Sequence, residues 1–206
     1  MGGFRPIEGR ERLAVIYHFR AKGSDEHKMS VSAAILGSMD QEELLQEAAE
    51  AAEKILRENS VSRPPVRMTE LPRKYGYKIS AQSFPPSFTD LLGVLAHDDK
   101  LIVVNEKERA EVQNCSIARL FALDLLWSQG KVNPPVERGL YLLRDRPLLA
   151  QKSQAELRGD MLAAYLLVPR FFLTDYRPFA SVTSLAELFV VPEDFLSWRL
   201  SFERSR

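Results

Sequence analysis

One stretch of the chain is apolar on nearly every side of the helix that it predicts. Residues 114–129 read NCSIARLFALDLLWSQ, and only Arg119 and Asp124 carry charge inside this stretch. A helix that is apolar all round belongs inside a hydrophobic core, where an unpaired guanidinium costs several kcal/mol. The pattern therefore predicts a central helix in which Arg119 has a specific acidic partner or borders a cleft, while Asp124 is expected to face a loop or solvent.

Three other segments have helical spacing of their apolar residues. The first runs from about residue 40 to residue 59, and Ser38 or Asp40 is available as its N-cap. The second spans residues 153–168, where Ser153 and Glu156 have the spacing of a capping box. The third, residues 182–202, predicts two short helices separated by a turn.

The remaining patterned segments predict a small amount of sheet. The apolar runs 91–96 and 101–104 flank four polar residues, which is typical of a β-hairpin with a solvated His97 at its turn. Residues 68–75 predict a short helix, and an extended segment begins at Tyr77. The fold class predicted from these elements is α+β, mostly helical, with a hairpin or small sheet and a C-terminal helix pair.

Composition narrows the classes of function. The 206 residues carry 28 basic and 28 acidic side chains, so the composition lacks the basic excess that is typical of a nucleic-acid-binding protein. A single cysteine excludes an internal disulfide framework and fits a reducing compartment. No stretch approaches the roughly 18–20 apolar residues of a membrane helix, and no signal-peptide core is present. The sequence predicts a cytoplasmic protein without a membrane role.

Residues able to bind a metal are scarce. His18, His27 and His97 are the only histidines, and no two lie four residues apart. Cys115 is expected to be a small buried side chain and not a nucleophile. A dedicated zinc site therefore has little from which to be built, and no metal or other cofactor is expected.

The order of the segments resembles the metallopeptidase-like family typified by ImmA and IrrE. Its usual elements are a helix, a Pro-Val segment, a short Gly-Tyr helix, a hairpin, a helix with HExxH, an ExxANxFAAxLLMP helix and a small helix pair. The corresponding segments here are Pro65-Val66, Lys74–Tyr77, Leu92–Val94, Ile102–Asn105, Glu156–Pro169, Leu185–Val191 and Arg199-Leu200. The resemblance covers roughly residues 40–202 and implies a zincin-like peptidase core.

The chain departs from this family at the catalytic helix. Arg119 stands at the position of the first zinc histidine, Leu120 at that of the general-base glutamate and Leu123 at that of the second histidine. Neither a guanidinium nor a leucine can donate a lone pair to zinc. The third ligand position of the family corresponds to Glu156. The resemblance therefore implies a degenerate centre with no catalytic residues and no bound metal.

We expect Arg119 to occupy the place of the missing cation. In the family's geometry the ligands converge, so Arg119 is expected to pair with Glu156, and Asp160 lies one turn further along the same face. These three residues are the candidate ligand-binding residues. The alternative is that Arg119 extends to the surface and Glu156 is only an acid at a helix N-terminus.

Three kinds of function stay open. The leading hypothesis is an inactive pseudo-peptidase that binds a protein partner, such as a helix-turn-helix repressor, in bacterial or phage and mobile-element regulation. The second is an enzyme: either a metallo-endopeptidase of the same family that has a relocated metal site and cleaves a helix-turn-helix repressor, or one with different chemistry. The third is a small-molecule or DNA-binding regulator, although the zero net charge argues against DNA.

The predicted organisation has three parts. Residues 1–39, with an apolar run at Leu13–Phe19, form an N-terminal extension outside the resemblance. Residues 40–180 form the peptidase-like domain, and residues 181–206 form the helix pair packed on it.

Overall fold

A computed structural model describes residues 41–133, 139–143 and 153–203 as a mixed α+β fold. The predictions for residues 1–39, including Leu13–Phe19, His18 and His27, lie outside the described residues. Within the described ranges the helices are α1 (Gln41–Glu58), α2 (Ala110–Ser128), α3 (Gln154–Leu167), α4 (Arg170–Tyr176), α5 (Val182–Phe189) and α6 (Glu193–Ser201). The strands are β1 (Lys78–Gln82), β2 (Leu91–Ala96), β3 (Leu101–Asn105) and β4 (Gly139–Leu143).

The central apolar helix is α2, and its position explains its composition. One side of α2 packs against α3, which also packs against α1, and another side packs against β2 and β3. Because α2 lies between a helix layer and a sheet, Ile117, Ala118 and Phe121 are buried together with residues on its other sides. The predicted central helix is confirmed.

The predicted hairpin is confirmed as β2 and β3, which pair antiparallel and form the middle of a sheet ordered β1-β3-β2-β4. Strand β1 runs parallel to β3, and Ile79 lies opposite Ile102. Strand β4 pairs antiparallel with β2 on the other edge. The sequence pattern did not predict β4, because its five residues alternate too briefly to indicate a strand.

Two predictions for the short connecting elements need correction. The helix expected over residues 68–75 is only a 3-10 turn, Pro72–Tyr75, because Pro72 has no N–H for a continuing α-helical bond. Gly76 ends the turn with a φ of 85°, a conformation that favours glycine. The unpredicted helix α4 begins directly after Pro169, the same residue that terminates α3.

A buried arginine ties the C-terminal helix pair to the core. The Arg199 side chain is fully buried, and its guanidinium lies 4.0 Å from the centre of the Tyr165 ring. Arg199 Nε donates to the carbonyl oxygen of Val168 at 3.1 Å, and Nη1 donates to Glu203 at 2.7 Å. The carboxylate of Glu203 also lies 3.5 Å from Arg170 Nε. Helix α6 is thereby fixed to the end of α3.

Opposing effects act on the Glu203 carboxyl. Burial by itself raises its pKa, but the hydrogen bond and charge of Arg199, together with Arg170, outweigh burial and hold the pKa below its ordinary value of 4.5. A carboxyl whose pKa is lower in the folded state stabilises the fold above the pKa of the unfolded chain. That contribution disappears as the pH falls through the folded-state pKa.

We expect Glu203→Gln to lower the free energy of unfolding at neutral pH by about 1–3 kcal/mol, since it weakens a charge-assisted hydrogen bond. The difference from the wild type should persist down to about pH 4.5 and shrink below it. Urea unfolding between about pH 3 and pH 7 measures this, with the exposed Glu50→Gln as the matched control. A difference that stays constant with pH would contradict the role assigned to Glu203.

Candidate functional site

A nearly buried ion pair joins α2 to α3. Arg119 Nε donates to Asp160 Oδ1 at 2.7 Å, and Nη2 donates to Oδ2 at 3.1 Å. The side chain of Arg119 is 14% exposed and that of Asp160 is 6% exposed. A bidentate guanidinium–carboxylate pair of this kind satisfies both charges inside the protein. The alternative in which Arg119 extends to the surface does not describe this structure.

Close contact between the two helices brings this pair together. A Cβ atom added at Gly159 would lie 3.0 Å from the Cβ of Leu123, so α2 and α3 approach as closely as a glycine permits. Leu123 follows Arg119 by one helical turn, and Asp160 directly follows Gly159. The two charged side chains therefore meet beside the point of closest contact.

Glu156, expected to be the first partner of Arg119, is engaged at the start of α3. Its Oε2 accepts a hydrogen bond from the Ser153 N–H at 2.9 Å, and its own N–H donates to Ser153 Oγ at 3.2 Å. This is the capping box that the sequence predicts. Asp160, one turn deeper along the helix, is the bidentate partner of Arg119.

The two leucines that the sequence resemblance aligns with a base and a ligand, Leu120 and Leu123, contact different elements. Leu123 packs against Gly159 of α3, and Leu120 packs against the strand β2, where its Cδ1 lies 3.0 Å from the position of a Cβ on Gly93. Leu120 is buried. In the described ranges, no group of three or more His, Cys, Asp or Glu side chains has the arrangement of a metal site.

Cys115 lies one turn before Arg119 and is buried. Burial raises the pKa of its thiol strongly, and the nearby guanidinium of Arg119 offsets only part of that effect. The thiol is therefore protonated at neutral pH. The prediction that Cys115 is a small buried side chain is confirmed.

A second polar cluster was missed by the sequence analysis. Asp124 is completely buried, and its carboxylate accepts hydrogen bonds from the Tyr77 hydroxyl and, at 2.5 Å, from His97 Nδ1. The His97 ring stacks on Trp127 with a centroid distance of 3.8 Å. Asp124 faces a loop, as one of the two predicted alternatives had it, because His97 belongs to the β2–β3 turn, which folds over the C-terminal half of α2. The other alternative, solvent, is wrong, and so is the prediction that His97 is solvated, since its side chain is only 26% exposed.

One signal could have found this cluster. Asp124 lies inside the same apolar helix as Arg119, so the requirement for a partner applied to both charges.

Tyr77 is 4% exposed, and burial, followed by its hydrogen bond to Asp124, raises the pKa of its phenol well above the ordinary value. Tyr77 therefore remains protonated and serves as a hydrogen-bond donor to the buried carboxylate.

Comparison with known proteins identifies a shared fold and no family. No family model matches the sequence, and no curated protein matches it. Among solved structures, a Mycobacterium tuberculosis transcriptional regulator is similar, with a TM-score of 0.50 and 17% sequence identity. The match covers 80% of this chain and 52% of the regulator, so the chain spans about half of that protein. At this identity the likeness shows the fold alone.

No helix in the described ranges combines the length and the apolar composition that crossing a bilayer requires.

We expect Arg119→Ala to lower the free energy of unfolding by about 3–5 kcal/mol, because it removes the guanidinium that donates two hydrogen bonds to the buried Asp160 carboxylate. The double variant Arg119→Met/Asp160→Leu should recover most of this loss, since it removes both charges and puts apolar side chains in their place. Urea unfolding of the wild type, Arg119→Met, Asp160→Leu and the double variant measures the coupling between the two side chains. Arg67→Ala, which breaks a largely exposed ion pair with Glu70, is the control. An Arg119→Ala variant as stable as the wild type would contradict a structural role for the pair.

We expect Tyr77→Phe to lower the free energy of unfolding by about 1–3 kcal/mol, since Asp124 then loses one of its two identified donors. Tyr176→Phe, which removes a hydroxyl from a side chain 39% exposed on α4, should change stability by no more than about 0.5 kcal/mol. Equal effects of the two substitutions in urea unfolding would show that the hydroxyl of Tyr77 is not a significant donor.

Proposed function

We propose that the chain is a regulatory module that binds a protein partner and is built on an ImmA/IrrE-like, zincin-like fold with a degenerate peptidase centre. The observation that carries this proposal is the bidentate Arg119–Asp160 pair. It lies on the helix and at the position where the sequence resemblance puts the first zinc ligand. A protein cation and its carboxylate partner thus take the place of a metal and its ligand.

The chemistry of the substituted positions supports this proposal. An HExxH centre needs two imidazoles on one helix face to hold zinc and a glutamate to activate the bound water. Arg119 and Leu123 offer no lone pair, and Leu120 offers no base. The Asp160 carboxylate, meanwhile, is occupied by two hydrogen bonds from Arg119. Positions 119, 120 and 123 therefore supply neither the two zinc ligands nor the general base that hydrolysis by the family's mechanism requires.

The arrangement of elements supports the same assignment. The β2–β3 hairpin, the central helix, the helix that follows it and a helix pair at the C-terminus have the order that the sequence resemblance implies. A structural neighbour that carries the name transcriptional regulator is consistent with a regulatory role. We propose the domain limits 40–180 for the peptidase-like part and 181–206 for the helix pair, with residues 1–39 as a partner-specific extension.

In this proposal the module acts by binding and not by cleavage. The proposed partner is a protein such as a helix-turn-helix repressor. Binding by the module changes the activity of that partner. Arg119, Glu156 and Asp160 mark the former centre.

The metal content of the purified, untagged protein tests the inactive centre. We expect zinc below about a tenth of an equivalent, because the zinc ligands at positions 119 and 123 are absent. Zinc near one equivalent in the wild type, lost in Glu156→Ala or Asp160→Ala, would overturn the proposal and favour a metallo-endopeptidase with an unusual site.

A restoration variant tests the assignment of positions. Arg119→His/Leu120→Glu/Leu123→His rebuilds HExxH, and if the fold is zincin-like this variant should bind about one zinc, with weaker binding when Glu156→Ala is added. The matched control is Glu50→His/Lys54→His, which puts two histidines four residues apart on the exposed face of α1. Zinc binding by the control alone, or by neither variant, would contradict the equivalence of these positions with the family's centre.

A further inference from the structure

A groove of about 680 Å³ lies between the start of α2 and the corner that joins α5 to α6. This volume falls in the range of sites that accept a ligand or a peptide side chain. Ala186, Val190, Val191 and Pro192 supply its apolar surface. The groove is separate from the Arg119–Asp160 pair, and none of the predicted site residues lines it.

One face of α5 forms the length of the groove. The lining residues of this face lie at intervals of three, one and three residues, which places them along a single helical stripe. They are Thr183, Ala186, Glu187 and Val190. At a rise of 1.5 Å per residue this stripe is about 10 Å long. That length suits two turns of a helix or a few extended residues of a bound segment.

The corner at the end of this stripe is held in place before any partner arrives. Asn114 in α2 donates from Nδ2 to the carbonyl oxygen of Val190 at 3.2 Å, and its Oδ1 accepts from the Met68 N–H at 3.1 Å. Val190 has a φ of 53°, which is uncommon for a β-branched residue. A preformed surface of this kind lowers the ordering cost of binding.

The rim of the groove carries excess negative charge. Four carboxylates line it against one guanidinium, and that guanidinium, of Arg109, already pairs with Glu111 at 3.1 Å. Glu187, Glu193 and Asp194 are exposed. In the described part of the chain, no lysine or arginine lies within ion-pair distance of these three acids. The field of the groove therefore attracts a cation and repels a polyanion.

The combination of apolar floor and acidic rim selects among cationic ligands. A bare metal ion is a poor fit, because the acids that line the groove do not form a metal-binding group in the described residues. Lysine and arginine side chains fit better, since their methylene stems cover apolar surface while their charged ends reach the rim. Nucleic acid is disfavoured by the sign of the charge.

We propose that this groove is the docking site for a basic, amphipathic segment of the protein partner. The proposal rests on the proposed function, which it deepens by assigning the chemistry of the partner. Glu111, Cys115 and Arg119 recur every four residues along α2, so the groove and the former centre lie along one face of that helix. Arg119 lies about two helical turns along α2 from the groove residue Glu111.

A labelled peptide of about 12 residues that repeats Leu-Lys-Lys-Leu, long enough to cover the stripe, tests the proposal on the full chain. Fluorescence anisotropy measures its binding at low salt and at about 0.15 M salt. We expect the wild type to bind it, and Glu187→Gln/Glu193→Gln to bind it at least tenfold more weakly, because the attraction at the rim is reduced. The control Glu43→Gln/Glu50→Gln removes the same charge from the exposed face of α1 and should bind as the wild type does.

Two further peptides separate docking from simple charge attraction. A Leu-Glu-Glu-Leu peptide should not bind, and a Ser-Lys-Lys-Ser peptide should bind more weakly than the leucine form, since it offers nothing to the apolar floor. Absence of binding by the wild type, or equal loss in the groove and control variants, would overturn the proposal. Circular dichroism checks that each variant keeps its fold.

These outcomes are independent of the zinc measurement. Zinc near one equivalent together with groove-specific peptide binding would overturn the inactive centre and leave the docking site in place. If zinc is absent and peptide binding does not change when Glu187 and Glu193 are replaced, the docking site is overturned and the inactive centre stays in place.

Discussion

The structure depends on how the buried helix α2 accommodates two charges. A charge taken out of water must be paired and hydrogen-bonded, or the fold loses several kcal/mol. Arg119 and Asp124 are five residues apart, which separates them by about 140° around the helix axis. They therefore require partners on different sides of α2. Asp160 of α3 is the partner of Arg119. Tyr77 and His97, on the side of the sheet, are the partners of Asp124.

These two sets of contacts fix α2 in its place between layers. Apolar packing alone tolerates small rotations of a helix, because many hydrophobic contacts are nearly interchangeable. A bidentate guanidinium–carboxylate pair is directional and holds the helix at one rotation. The glycines at positions 93 and 159 then allow the sheet and α3 to approach closely. In the proposed function, an ion pair thus keeps the geometry of a catalytic centre while removing its chemistry, as expected when function is separable from fold.

The distribution of surface charge bears on the kind of partner. The net charge of the whole chain is zero, which by itself suggests no partner. The structure shows that acids concentrate around one groove, and two of them, Glu193 and Asp194, lie in the first turn of α6. Local excess of this kind steers association even when the total charge is balanced. It argues against nucleic acid at this surface and for a basic protein segment.

The sequence by itself determined the strongly periodic elements. Helices α1, α2, α3 and the C-terminal pair, and the β2–β3 hairpin, follow from local spacing and from caps such as Ser153, because these signals are encoded within a few residues of one another. The apolar surroundings of Arg119 also predicted that it has an acidic partner or borders a cleft. The family resemblance, and not the local pattern, added Glu156 and Asp160 as candidate partners.

Only the tertiary structure decided which residues meet across the chain. Asp160 and not Glu156 makes the bidentate contact, because Glu156 is engaged by its own capping box while Asp160 lies deeper. Strand β4 exists because the edge of β2 accepts it, although its own pattern is weak. The burial of Asp124 and His97, and the acidic groove, arise from segments far apart in sequence, and no local pattern reports such distances.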